Sequence, residues 1–352
     1  MLLVGLHGCA PAPDGNASAQ ERTDRCKTVF ARPSNPPLVS EGAFYYWQVE
    51  GKLPGLDSLR QYGAKKLYVR YFDVVAGPDG PRPVGIRRSV ETDATVIPVV
   101  YVTLGALKDL DSESVGELAE NIWQLVNRIG YSGGEIQLDC DWTAGTRTTY
   151  FALLERLRSL GKDSPGFELS STIRLHQLKY YQSTGVPPVD RGALMIYNMG
   201  QLADPSERNS IFSESVALSY LRGSHMQKYP IPLDLALPDF SWAVAFVHGS
   251  FHSILHDVTE KDLSRPELEK RGHEYRVIQP VILDGRRLPA GARIRLESVD
   301  ACERASVLYA LSQELNREDP ERALIVFDYD EKKTSAETKD LVDLFSRAGL
   351  SW

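Results

Sequence analysis

Short apolar runs recur along this chain, and most are separated by a stretch with helical spacing. Residues 43–49, 66–74, 95–103, 134–143, 168–176, 193–200, 232–240 and 322–330 read as strands. Helices are expected at 53–62, at 146–160, at 215–222 and at 335–348. A further one begins at a Ser114 cap, with Leu118, Ile122, Leu125 and Ile129 on one face. The loop 77–83 holds too much Pro and Gly for regular structure. Eight strands alternating with helices is the count of an α/β fold, the (β/α)8 TIM barrel. A doubly wound open sheet competes, but no Gly-rich phosphate turn follows the first strand.

One block breaks the alternation. Within 257–299, a helical piece at 264–271 precedes two β-rich runs joined by Asp284-Gly285, a hairpin signal. The expectation is a small α+β insertion after the seventh strand, followed by a helix at 301–315. The organisation is then a flexible tether over 1–37 and a barrel over 38–352, interrupted by the insertion at 257–299.

The fourth strand carries the chemistry. Ile136, Leu138 and Cys140 point one way, and Gln137, Asp139 and Asp141 the other. A parallel strand covered on both faces should be apolar on both. Polar groups that break this rule tend to mark sites, and in a barrel they open at the C-terminal end of the strand.

Composition narrows the class. The 352 residues are 42% hydrophobic and 25% charged, as in a globular protein. A net charge of −7 argues against a nucleic-acid partner. No run of about 18 apolar residues offers a membrane span. His248, His252 and His256 would share a helix face, but Gly249 and Ser250 weaken that helix and no H-E-x-x-H appears. No metal and no cofactor are expected. Serine-hydrolase elbows and P-loops are missing from the sequence. Cys140 reads as a buried thiol. Cys26 and Cys302 are available for a disulfide, which two cysteines alone do not establish.

Leu6-His7-Gly8-Cys9 resembles the bacterial lipobox, although no basic segment precedes it. It implies a secreted or cell-envelope lipoprotein, touching membrane only through a lipid on Cys9.

Asp139-Cys140-Asp141-Trp142 resembles the fourth-strand motif of family-18 glycoside hydrolases, the chitinase-like barrels. Met195-Ile196-Tyr197-Asn198 resembles their sixth-strand Met-x-Tyr-Asp, and Leu235–Trp242 is similar to their seventh-strand segment. The chain also looks like a bacterial family of predicted barrels, the domain of unknown function 3142. The first resemblance implies hydrolysis of an oligo- or polysaccharide, with Tyr197 orienting the substrate's acetamido group. In one register Thr143 occupies the place of the family's catalytic Glu. Sliding by two matches Gln137, Asp139 and Asp141 to D-x-D-x-E and makes Asp141 the acid. The alternative is a catalytically inactive barrel that binds glycan or protein.

Two inward carboxylates two residues apart repel, and one then holds a proton near neutrality. That makes Asp141 the expected acid and Asp139 its partner, unless Arg70 or Arg174 neutralises them. Arg70 and Arg174 are also candidates for binding an anionic sugar. Candidate substrate contacts are Gln137, Trp47, Trp142, Trp242, Asn198, Asp239 and Asp328, all near strand ends.

Overall fold

The computed structural model describes residues 38–223, 225–256, 258–315, 322–331 and 335–350. The expected tether over 1–37, with Cys9 and Cys26, lies outside the described residues.

The barrel strands are β1 (Glu41–Tyr46), β2 (Ala64–Gly77), β4 (Thr95–Val102), β5 (Glu135–Asp139), β6 (Glu168–Arg174), β7 (Arg191–Met195), β8 (Leu233–Pro238) and β16 (Ala323–Phe327). Each pairs in parallel with its neighbours, and β1 contacts both β16 and β2, which closes the ring. This is the (β/α)8 barrel expected from the alternation of elements. The helices between strands include α1 (Leu56–Arg60), α2 (Ser112–Ile129), α3 (Arg147–Gly161), α4 (Leu175–Lys179), α5 (Tyr181–Thr184), α6 (Glu214–Leu221) and α7 (His225–Lys228).

Two cores follow from the period-two alternation of the strands. Tyr45, Tyr68, Val99, Ala193, Met195 and Ile325 fill the barrel interior. Phe44, Leu67, Val69, Leu138 and Leu169 face outward and pack beneath the helices. Val115, Leu118, Ala119, Ile122, Val126 and Ile129 are buried on α2, the face that its spacing predicts. The cap of α2 is Asp111 rather than Ser114: the Asp111 carboxylate accepts from the Ser114 backbone N–H at 2.8 Å. Any residue with a short polar side chain can take that position, so several candidates crowd the helix start.

The segment 77–83 is not irregular. β3 (Gly80–Val84) folds back antiparallel on β2. Pro81 and Pro83 are tolerated because β3 is an edge strand, whose outer side needs no N–H donors.

Between β8 and the helix α9 (Ala301–Glu314) lies a five-stranded antiparallel sheet. It comprises β9 (Trp242–Val247), β10 (Ser250–Leu255), β11 (Leu268–Arg271), β12 (Glu274–Val277) and β15 (Arg293–Glu297), in the order β10-β9-β15-β12-β11. The helical piece here is α8 (Glu260–Leu263), and 268–271 is strand, not helix. Alternating burial at Leu268, Tyr275 and Val277 gives this sheet its own small core. β13 (Val281–Leu283) and β14 (Arg286–Leu288) form the expected hairpin, with Asp284 and Gly285 at φ 47° and 66°. His248 and His252 lie on the β9–β10 hairpin, so the three histidines share no helix face. A last helix, α10, spans Ser335–Arg347. Among the described residues, no helix is long and apolar enough to cross a membrane.

Candidate functional site

Register places the fourth-strand acids. Asp73 on β2 pairs with Tyr101 on β4, and Tyr101 pairs with Asp139 on β5. These three residues form one inward row at the C-terminal end of the barrel. One row down, Gln137 is opposite Ser170. Continuing that register brings Asp139 to Thr172 and Asp141 to Arg174, and the hydrogen bonds follow it.

Gln137 is fully buried. Its Oε1 accepts from the Tyr45 hydroxyl at 2.6 Å, and its Nε2 donates to Ser170 Oγ at 3.2 Å. It braces the barrel interior, below the level that solvent reaches. Below it Glu135 accepts from Ser170 Oγ at 2.5 Å and from the Tyr68 hydroxyl at 3.2 Å. Burial pushes the Glu135 carboxyl up to about 7.

Asp139 is 7% exposed and accepts a 2.7 Å hydrogen bond from the Thr172 hydroxyl. Burial pushes its carboxyl up to about 6. The Thr172 bond opposes the rise and the Asp141 charge adds to it. Repulsion within the pair is thus a minor cause, contrary to expectation. Asp141 differs, because both its oxygens are taken by Arg174, through Nε and Nη2. Burial thus favours the protonated form of Asp139, while Asp141 is clamped by the guanidinium.

Arg70 does not reach the pair. It binds Asp73, with Nε donating at 2.7 Å, and its guanidinium lies 5.7 Å from the Trp47 ring centroid. In a regular strand, residues three apart face opposite sides. A bulge between Arg70 and Phe72 puts Arg70 and Asp73 on the same side. Asp73 escaped the sequence analysis because nothing in the composition of β2 marks that bulge.

The mouth has an aromatic rim. Trp47 packs against Phe327 at 5.3 Å, and Phe327 against Tyr197 at 5.3 Å and Phe240 at 5.5 Å. The Tyr197 hydroxyl is held protonated by burial first, then by the Asp139 charge. Burial and the nearby Asp139 and Asp141 charges raise Tyr101 to about 12. Asp328 is half-buried, and burial followed by the Asp330 charge lifts it to about 6.

A cleft of about 270 Å³ opens beside this rim. Asp141, Arg174, His176, Tyr197, Asn198 and Tyr220 line it. Arg174 ends β6 and Leu175 begins α4, so His176 sits on a helix and turns toward solvent. Burial and the Arg174 charge lower its pKa. Asn198 adopts φ 52°, a conformation Asn tolerates, and its carbonyl accepts from Arg174 Nη1 at 3.4 Å. Thr143 does not line the cleft; its backbone N–H donates to Thr146 Oγ1 at 3.0 Å at the start of α3.

Three candidates are engaged by protein partners. Trp142 is 2% exposed, stacks on Tyr150 and donates to the Thr184 carbonyl at 3.1 Å. One residue past Asp141, it faces the helices by strand alternation. Asp239 is bound to the buried Arg304 of α9. Trp242 is half-buried on β9, and its indole donates to Glu297 at 2.9 Å. Cys140 is buried on the outward face as expected, and the pairing of Cys302 with Cys26 falls outside the described residues.

No protein-family model matches the chain, and comparison with curated proteins finds no match. The fold does recur among solved structures. The spore cortex-lytic enzyme SleL of Bacillus cereus aligns at a TM-score of 0.53 and 13% identity, over 94% of this chain and 85% of that chain. A class V chitinase from Nicotiana tobaccum aligns at 0.46 and 13% identity, over 88% and 99%. A GH18 chitinase from Cycas revoluta, in complex with (GlcNAc)4, aligns at 0.49 and 12% identity, over 88% and 99%. At such identities the likeness is one of fold.

Proposed function

We propose that this protein is a glycoside hydrolase-like barrel acting on an oligo- or polysaccharide, with Asp139 as the proton-donating carboxyl. The observation that carries the proposal is a buried acid, lifted to about 6, at the C-terminal mouth of a barrel beside an open polar cleft. The shared fold with a cortex-lytic enzyme fits a glycan polymer as ligand.

In this mechanism Asp139 passes its proton to the glycosidic oxygen as the C–O bond breaks. The sugar's own acetamido oxygen attacks the anomeric carbon, and water then opens that intermediate. Tyr197 keeps its proton and so donates a hydrogen bond to the substrate. Asp141 and Arg174 fix hydroxyl groups from the cleft floor, and the Trp47 rim supports the apolar face of a sugar ring. Export through acylation of Cys9 belongs to the same proposal and rests on sequence alone.

A second reading has its own support. Both Asp141 oxygens are engaged by Arg174, and the cleft floor offers no second free carboxylate. A barrel that binds glycan without cleaving it has the same appearance. Release of reducing ends from a glycan panel by the parent and by Asp139→Asn separates the two. Hydrolysis by the parent that the variant loses supports the enzyme. Binding by both with background release from both overturns it in favour of the binder.

A further inference from the structure

The antiparallel sheet differs in charge from the rest of the molecule. The whole chain carries −7, yet its segment 268–297 holds seven Lys and Arg against four Asp and Glu. Those acids are already engaged. Glu269 pairs with Arg271 at 2.8 Å, Glu274 with Arg293 at 2.6 Å and Glu297 with Arg295 at 2.6 Å. Asp284 accepts from the His256 backbone N–H at 3.1 Å. Lys270 is neutralised by Glu260 at 2.6 Å. Among the described residues, Arg276, Arg286 and Arg287 form no ion pair.

Arg276 is also placed for a ligand. On β12 it lies between Glu269 of β11 and Arg293 of β15. With Arg271, Glu274, Tyr275 and Arg293 it lines a cleft of about 280 Å³. Arg293 donates to the Pro205 carbonyl at 3.0 Å. The cleft therefore adjoins the loop after β7, whose first residues form the wall of the barrel cleft.

We propose that this cleft binds the carboxylates of an acidic polysaccharide. The inference rests on the glycan reading above, and it names the class of glycan. A planar guanidinium takes a carboxylate through two parallel hydrogen bonds. Arg293 already holds Glu274 that way, with Nε at 2.9 Å and Nη2 at 2.6 Å. Arg276 supplies the uncommitted fork, and Arg286 and Arg287 add positive charge to the same segment of the chain. The barrel mouth itself is unsuited to anions, because Arg70 and Arg174 are both held by aspartates.

The test titrates the full chain with polygalacturonate, with neutral dextran and with polyphosphate. Binding of polygalacturonate, none of dextran, and loss of affinity as salt rises are expected. Arg271→Ala with Arg276→Ala weakens that binding about tenfold. Both residues are exposed, so unchanged circular dichroism accompanies the loss. Equal binding by parent and variant overturns the proposal, as does binding of polyphosphate with none of polygalacturonate. Binding at this cleft is read without turnover. A parent that hydrolyses no glycan therefore sinks the catalytic reading without deciding the cleft.

Discussion

Arg174 holds Asp141 by both carboxylate oxygens and, through its remaining nitrogen, reaches the Asn198 carbonyl at 3.4 Å. One guanidinium thus ties together the ends of three successive barrel strands. Side-chain exposure is 22% for Arg174 and 35% for Asp141, so the pair stands between the barrel interior and water.

This geometry requires a planar fork. Arg174→Lys keeps the charge but loses the two-bond clamp. We expect glycan binding to fall about tenfold, with a stability loss of about 1 kcal/mol or less for so open a pair. Calorimetric titration and chemical denaturation of the same variant check both. Unchanged binding removes Arg174 from the cleft's function.

Asp139 makes stability depend on pH. The folded carboxyl keeps its proton up to about 6, whereas an unfolded one loses it near 4. Between those values the folded state binds more protons, so this group's contribution falls as pH rises through the window. Asp139→Asn escapes that penalty. Its stability relative to the parent should rise from pH 4 to pH 7 by on the order of 2 kcal/mol. Thermal denaturation at both pH values decides it, and a flat difference refutes the buried-acid account.

Activity should follow the same proton. If Asp139 is the acid, the parent's rate declines as pH rises past about 6. The Asn variant loses roughly 100- to 10,000-fold in kcat, the range for a general acid. A profile flat through pH 6 assigns the proton elsewhere.

The tryptophans should separate by role. Trp142→Ala removes a buried ring between barrel and helices, costing about 3–5 kcal/mol. Trp47 is half-buried at the rim, so Trp47→Ala should weaken glycan binding at a smaller cost in stability. Denaturation and binding measured side by side test the contrast.

Arg295 and Glu297 anchor the antiparallel sheet to the barrel. Both side chains are 0% exposed. Arg295 donates to the Leu202, Asp204 and Glu207 carbonyls, and Glu297 accepts from Ser210 and Trp242. Glu297→Ala strands a buried guanidinium, so a loss of about 3–5 kcal/mol is expected. Hydrogen exchange over 200–210 should accelerate with it, and unchanged protection there contradicts the anchoring role.

Much of this could be read along the chain. Alternation in 134–141 put Asp139 and Asp141 on the inward face, and Asp284-Gly285 marked its hairpin, because both signals are local. Side-chain period and turn geometry are carried by adjacent residues. The β2–β3 hairpin was hidden, since prolines exclude a central strand but not an edge one. Strand position in a sheet is not a local property.

The sequence by itself determined the order of the eight barrel strands, the closed barrel and the inward direction of the fourth-strand acids. Only tertiary structure decided that Asp139 is pushed toward its protonated form. Burial and register set that: Thr172 and a dry interior surround Asp139, while Arg174 waits one row above for Asp141. These partners lie 33 residues away in sequence and meet only when β5 and β6 align. The desolvation that raises a pKa exists only once the ring has closed.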